Sequence, residues 1–243
     1  MITQQRLRRT LWGAVRGICF DLGGTLVRTE ADPTTGQVAQ VLGISLDQAR
    51  AVMAQGAKRC RITPEELARD LVGAFGRPDL LGRLTQVLER ARQRAAAPDL
   101  FADARPALTA LHERGFGLFA LSNVLGSSVP DENPAAFAEL LDQVIYSADF
   151  GAVKPEREAF AAVEHASGLA PDQLLHVGDS LRADVAGADA AGWHTAWLDR
   201  GLPCGPLLSP ARTLRLHTLT TLPLLLPAAP APATAPTMPS EAR

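Results

Sequence analysis

Short apolar runs recur along this 243-residue chain, and polar clusters stand where they stop. Val15 to Phe20 runs into Asp21-Leu22-Gly23-Gly24-Thr25, and Phe116 to Leu121 runs into Ser122-Asn123. Gln143 to Tyr146 precedes a stretch that ends on the isolated Lys154. Leu174 to Val177 leads into Gly178-Asp179-Ser180, with Asp184 a little further on, and Thr195 to Leu198 closes the series. Runs this short, bounded by Gly and polar residues, predict buried strands. Strands that alternate with helical patterns predict a parallel sheet covered by helices on both faces, the α/β class. Ligands of open α/β sheets bind beyond the carboxyl ends of the strands. The polar clusters are therefore expected to meet at one edge.

The segments between the strands carry helix signals. Pro106 to Arg114 is capped by Gly115, Pro155 to Ser167 is closed by Gly168, and Leu181 to Ala191 follows the Gly178-Asp179 pair. From 30 to 98 no strand is expected. Ser45-Leu46-Asp47-Gln48 and Thr63-Pro64-Glu65-Glu66 both fit a capping box, the second with Pro at the first helical position. A further helix is predicted over Asp79 to Ala96, with Leu80, Leu81, Leu84, Val87 and Leu88 as its apolar stripe. The expected organisation is an α/β core over 1–29 and 99–226, an all-helical insert over 30–98, and a disordered Ala/Pro-rich tail over 227–243.

Bulk composition excludes several classes. A formal net charge of −2 offers no basic stripe for nucleic acid. No apolar run is long enough to span a membrane, and Met1 to Arg9 is not followed by the apolar stretch of a secretory signal. Cys19, Cys60 and Cys204 are odd in number and lack ligand spacing, so free thiols in a reducing cytoplasm are expected. Of 24 basic residues only Lys58 and Lys154 are lysines, and a lysine retained against such a bias is a candidate for chemistry. Oligomeric state leaves no trace in the sequence.

Each polar group has a bland reading beside a chemical one. Asp21 before two glycines fits a turn. It also fits a carboxylate beside a loop whose backbone N–H groups cradle a phosphoryl group, where it attacks the phosphorus or binds a metal. Asp179 and Asp184 fit a loop and helix N-terminus. They also fit, with Asp21, a shared cavity for Mg²⁺, which takes a few carboxylates plus water and phosphate oxygens. Ser122 and Asn123 supply hydrogen-bond donors, and Lys154 a charge to offset a nucleophile and a phosphoryl group. His176, within a strand, reads as a buried, hydrogen-bonded imidazole. Singly these signals are modest; their order and their placement at strand ends make them a set.

In that set the chain resembles the haloacid dehalogenase superfamily, in the branch with a helical cap inserted after the first motif. The resemblance spans Val15 to Arg200 and rests on Ile18-Cys19-Phe20-Asp21-Leu22-Gly23-Gly24-Thr25-Leu26, Leu121-Ser122-Asn123, Lys154-Pro155-Glu156, and Val177-Gly178-Asp179-Ser180 with Asp184. It implies a Rossmann-like core with a substrate-selecting cap over 30–98. Asp21 would be the nucleophile of an aspartyl-phosphate intermediate, and Lys154 would join nucleophile to phosphate. Gly24, Thr25, Ser122 and Asn123 would line the substrate site. Mg²⁺ would be held by Asp21, the Gly23 carbonyl and Asp179, with Asp184 in or near its shell.

One departure stands out. Phosphatases of the family usually carry a second Asp two residues after the nucleophile, as general acid and base, and here that position is Gly23. Proton delivery to a leaving group is worth about 10²- to 10⁴-fold, so the resemblance implies a preference for weakly basic leaving groups such as acyl or anomeric phosphates. Dehalogenases of the family also lack that Asp, but they are metal-free and lack the Gly178-Asp179 pair. The readings are thus a Mg²⁺-dependent phosphatase of a small phosphorylated metabolite, a haloacid dehalogenase-like hydrolase, and a phosphate-binding protein with weak turnover.

Overall fold

The computed structural model describes residues 12–29, 33–201 and 213–229. Its centre is a six-stranded sheet in the order β3-β2-β1-β4-β5-β6. The strands are β1 (Gly17–Phe20), β2 (Gly117–Ser122), β3 (Gln143–Tyr146), β4 (Leu174–Gly178), β5 (His194–Leu198) and β6 (Thr213–Leu216). Every pairing is parallel. The central strands β1 and β4 are buried along their whole length, which is why they read as continuous apolar runs rather than alternating ones. Alternate residues still separate by face. Ile18, Phe20, Leu118 and Ala120 enter one core, while Cys19, Phe119 and Leu121 enter the other.

Chain order reverses at β1, with β2 and β3 on one side and β4 to β6 on the other. Such a switch point opens a crevice at the carboxyl edge. Phe20 lies level with Ala120 and Val177, so Asp21, Leu121 and Gly178 share the next level. The Asp21 amide donates to the Val177 carbonyl at 2.9 Å, fixing where that side chain leaves the sheet.

Three expectations need correction. Thr195 to Leu198 is not the last strand, because β6 pairs with β5 beyond it. β6 is a four-residue edge strand with Arg215 inside it, too short and too polar to stand out. The helix expected over Leu181 to Ala191 is a π-turn, Leu181–Ala186, followed by one α-turn, Gly187–Ala190. The expected disordered tail starts too early, since Ala229 packs on the core and its amide donates to the Arg114 carbonyl at 3.1 Å. Residues 230–243, Met1 to Arg9 and Cys204 lie outside the described residues. Among the described residues no helix is long and apolar enough to cross a membrane.

Between β1 and β2 four helices, α1 (Thr34–Leu42), α2 (Leu46–Val52), α3 (Pro64–Ala74) and α4 (Leu81–Ala96), gather around their own core of Val38, Leu42, Met53, Leu67, Leu84 and Leu88. Both capping boxes form: Ser45 Oγ accepts from the Gln48 amide and Thr63 Oγ1 from the Glu66 amide, each at 3.1 Å. Each such cap is worth about 1 kcal/mol. This unit is keyed to the sheet by Leu125, from the loop after β2, which completes the helical core. Beside it Gly126 is buried against the 57–60 segment so closely that a Cβ would overlap the Cys60 carbonyl oxygen.

Gly126→Ala should therefore force the helical unit off the sheet or strain both backbones. Overpacking of this kind costs about 1–3 kcal/mol, measurable as a lower urea midpoint, and an unchanged midpoint would show that the contact is slack.

Candidate active site

The structure brings Asp21, Asp179 and Asp184 together: one carboxylate oxygen from each lies within 4.8 Å of the others. Asp21 follows β1 and Asp179 follows β4. Asp184 reaches them because the chain winds as a π-turn, begun by Ser180, whose Oγ accepts from the Ala183 amide at 3.1 Å. Single π-turns gather at functional sites. Gly24 makes room for Asp179. Its φ is +77°, and a Cβ there would collide with the Asp179 carboxylate, so only glycine fits both the turn and the approach.

Lys154 is buried at the centre of this group. Its Nζ donates to Asp21 Oδ1 at 2.6 Å and to Asp184 Oδ1 at 2.7 Å. Asp184 Oδ1 also meets His176 Nε2 at 3.0 Å, and its Oδ2 accepts from the Ser180 amide at 3.0 Å. His176 is thus the hydrogen-bonded imidazole expected from its strand position. Asn123 braces the lysine from behind. Its Nδ2 donates to the Lys154 carbonyl and its Oδ1 accepts from the Lys154 amide, both at 2.9 Å.

Two of the residues expected at the substrate site make contacts within the protein. Both ends of the Asn123 amide are spent on the Lys154 backbone, so its side chain positions the lysine. Thr25 has no exposed surface, and its carbonyl accepts from Arg200 at 2.7 Å, so it lies beneath the loop. The loop amides also differ from expectation. Those of Gly24, Thr25, Leu26 and Val27 bond to the carbonyls of Val27 or Leu22. Among the described residues, only the Leu22 and Gly23 amides of this loop make no backbone bond. Gly23, Ser122 and Asn123 line a cavity of about 700 Å³, together with Thr34, Arg94 and Pro98 of the helical unit and its return.

Charge in this cluster is unbalanced. Burial raises the pKa of Asp21, Lys154 pulls it down, and the charges of Asp184 and Asp179 oppose that pull in part, leaving it at about 7. Burial pushes Asp184 up too, but the Lys154 ammonium and His176 outweigh it and hold this carboxyl well below the usual range. Solvent reaches Asp179, yet desolvation and then Asp184 raise its pKa. Burial holds His176 below its ordinary value, so it adds no compensating charge near neutrality. Three carboxylates thus gather about one bonded ammonium, Lys154. The set offers hard oxygen donors and an excess of negative charge, which is what a divalent cation with oxygen preference fits.

Removing the ammonium should expose this imbalance. Lys154→Met should cost about 3–5 kcal/mol, the usual penalty for a buried charge stripped of its partner. Unpaired buried carboxyls have raised folded-state pKa values, so the loss should shrink in acid and grow as pH rises. Urea unfolding across pH checks both the size and the trend.

A family model described as haloacid dehalogenase-like hydrolase matches residues 15–192, most of the chain. Phosphoserine phosphatase from Thermus thermophilus is 34% identical over 143 residues, covering 56% of this chain and 55% of that protein. The chain thus spans about half of that relative's length. Phosphoglycolate phosphatase from Aliivibrio fischeri is 27% identical over 204 residues, covering 80% of this chain and 88% of its own. Among solved structures, the 2-haloacid dehalogenase from Pseudomonas syringae superposes with a TM-score of 0.63 at 20% identity, over 87% of this chain and 97% of that one. That last likeness shows the fold. The chain belongs to the haloacid dehalogenase-like hydrolases.

Proposed function

We propose that this protein is a Mg²⁺-dependent phosphatase that hydrolyses a small phosphorylated metabolite through an aspartyl-phosphate on Asp21, with the helices of 30–98 as its cap. The observation that carries the reading is Lys154, held at 2.6 Å from Asp21 Oδ1 beside the Asp179 and Asp184 carboxylates. Lys154 and Asn123 fix the nucleophile's carboxylate in one orientation. Asp21 attacks the phosphorus as the ester oxygen departs, and water then cleaves the acyl phosphate. Ser122 and the free amides of Leu22 and Gly23 are the groups available to bind phosphoryl oxygens. Asp21, Asp179 and the Gly23 carbonyl would hold Mg²⁺, with Asp184 in or near its shell through the oxygen facing the other two. Bound there, the ion would neutralise charge on the phosphoryl oxygens.

The retained metal-type carboxylates favour phosphate over halide, and the phosphatase names of the two sequence relatives agree with that. The free thiols of Cys19 and Cys60 suit a cytoplasmic protein.

A screen of phosphorylated metabolites, with and without Mg²⁺, tests the reading directly. Asp21→Asn should abolish hydrolysis in a folded protein, because an amide of nearly the same shape is a poor nucleophile. Residual turnover near wild type would remove Asp21 from that role. A second expectation follows from the Asp21 pKa of about 7. A carboxyl raised in the folded state contributes stability at low pH that is lost as pH rises through that value, and a bound cation offsets the loss. Mg²⁺ should therefore raise the Tm more at about pH 8 than at about pH 6, and Asp179→Ala should shrink the increase. A shift independent of pH and of Asp179 would place the ion elsewhere.

A further inference from the structure

The proposed reaction lacks a group to protonate the departing oxygen, because Gly23 has no side chain. Among the described residues few groups can serve. Lys154 is engaged by two carboxylates. His176 is buried against Asp184. Tyr146 borders the cavity, but burial and Asp149 push its phenol up to about 12, so it holds its proton too tightly. Arg28 is paired with Asp99 at 3.5 Å, and a guanidinium releases no proton in any case.

Lys58 differs from all of these. It is half-buried, lies close enough to Asp21 and Lys154 for both charges to act on it, and its ammonium has no hydrogen bond or ion pair among the described residues. Its place is built with care. The helical unit changes to a π-turn at Met53–Ala57 directly before it. The backbone that follows is pinned to the sheet on two sides. The Lys58 carbonyl accepts from Ser147 Oγ at 2.7 Å, at the end of β3. Arg59 reaches the Gly151 carbonyl at 2.9 Å and pairs with Glu156, while Arg61 Nε meets Asp149 Oδ1 at 2.6 Å. On the β2 side the same segment lies directly against Gly126. All of these ties run through the backbone or through neighbouring arginines. None uses the Lys58 side chain, which is left uncommitted within the electrostatic reach of the nucleophile.

From this geometry, and resting on the phosphatase reading above, we infer that Lys58 of the helical unit is the general acid and base of the reaction, in the role left empty at Gly23. In the first half, a bond forms between an Asp21 oxygen and phosphorus while the bond from phosphorus to the ester oxygen breaks. The electron pair leaves on that oxygen, and the Lys58 ammonium gives it a proton, releasing an alcohol and a neutral amine. In the second half, water attacks the phosphorus, the amine takes the proton of that water, and Asp21 leaves as the carboxylate. The ammonium is restored and inorganic phosphate departs. Burial, with some help from Lys154, lowers the Lys58 pKa against the pull of Asp21, and a lowered pKa favours proton donation near neutrality. An acid supplied in this way also lifts the restriction to weakly basic leaving groups that Gly23 implied.

The test compares an alkyl ester, glycerol phosphate, with para-nitrophenyl phosphate, whose leaving group needs no proton. Lys58→Met should lower kcat/KM, which reads the steps up to departure of the leaving group, on glycerol phosphate by about 10²- to 10⁴-fold and change kcat/KM on the nitrophenyl ester by less than about ten-fold. Lys58→Arg, which keeps the charge but cannot release a proton, should behave like the Met variant. Gly23→Asp should restore the alkyl rate in the Lys58→Met background. That substitution is sterically open, since Gly23 has no left-handed φ and a Cβ there would meet only Thr29 Cγ2, at 3.4 Å. Equal losses of kcat/KM on both esters, or no loss in Lys58→Met when wild type cleaves both, would overturn the role of Lys58 alone. A wild type that cleaves no phosphate ester at all would overturn the phosphatase reading and this inference together.

Discussion

A single ammonium ion buried among carboxylates ties three separate parts of the fold together. Lys154, on the loop after β3, bonds Asp21 from β1 and Asp184 from the π-turn after β4. Burying charge is costly, and attraction offsets that cost only where the remaining hydrogen-bonding capacity is also met. The surroundings meet it at Asp184, through His176 and the Ser180 amide, and at the lysine backbone through Asn123. Asp21 is served less fully: its Oδ1 has Lys154, and its pKa stands near neutrality. The strain of the cluster is thus concentrated on the residue expected to do chemistry, whereas Asp184 is held ionised as its anchor.

The helical unit and the sheet depend on each other at the same edge. Leu125 leaves β2 only a few residues beyond Ser122 and enters the helical core. The 57–61 segment returns the contact by gripping the loops after β2 and β3. Apolar burial holds the first contact, and hydrogen bonds with ion pairs hold the second. An exposed ion pair contributes at most about 1 kcal/mol, less than the burial of a leucine such as Leu125. A cavity of about 700 Å³ between the two units is compatible with a small substrate entering there.

Much of this was legible in the chain. Strand ends were readable because parallel buried strands are apolar throughout and stop at Gly or polar residues, so Asp21, Ser122 and Asp179 announced themselves. Both capping boxes were readable because their pattern is local. What sequence could not provide was the direction of side chains after the chain turns. Nothing local in the sequence says that the Asn123 amide bonds Lys154 on both ends or that Thr25 is fully buried. β6 escaped because its polar and apolar alternation covers only four residues and lies at an edge. Lys58 left one signal, its rarity in an arginine-dominated chain, and nothing local to say what it faced.

The departure at Gly23 takes its meaning from the same division between units. A general acid two residues after the nucleophile sits on the sheet and is present whether or not the helices are closed. A general acid on the 57–61 segment is present only when that segment is clamped against Gly126 and Ser147. Proton delivery would then be tied to closure, so that the ester bond breaks only after the substrate has been covered and bulk water displaced. Closure that assembles the catalytic set exchanges some catalytic power for selectivity. On that reading a glycine at position 23 would keep the two coupled, because an acid there would allow turnover with the helical unit open.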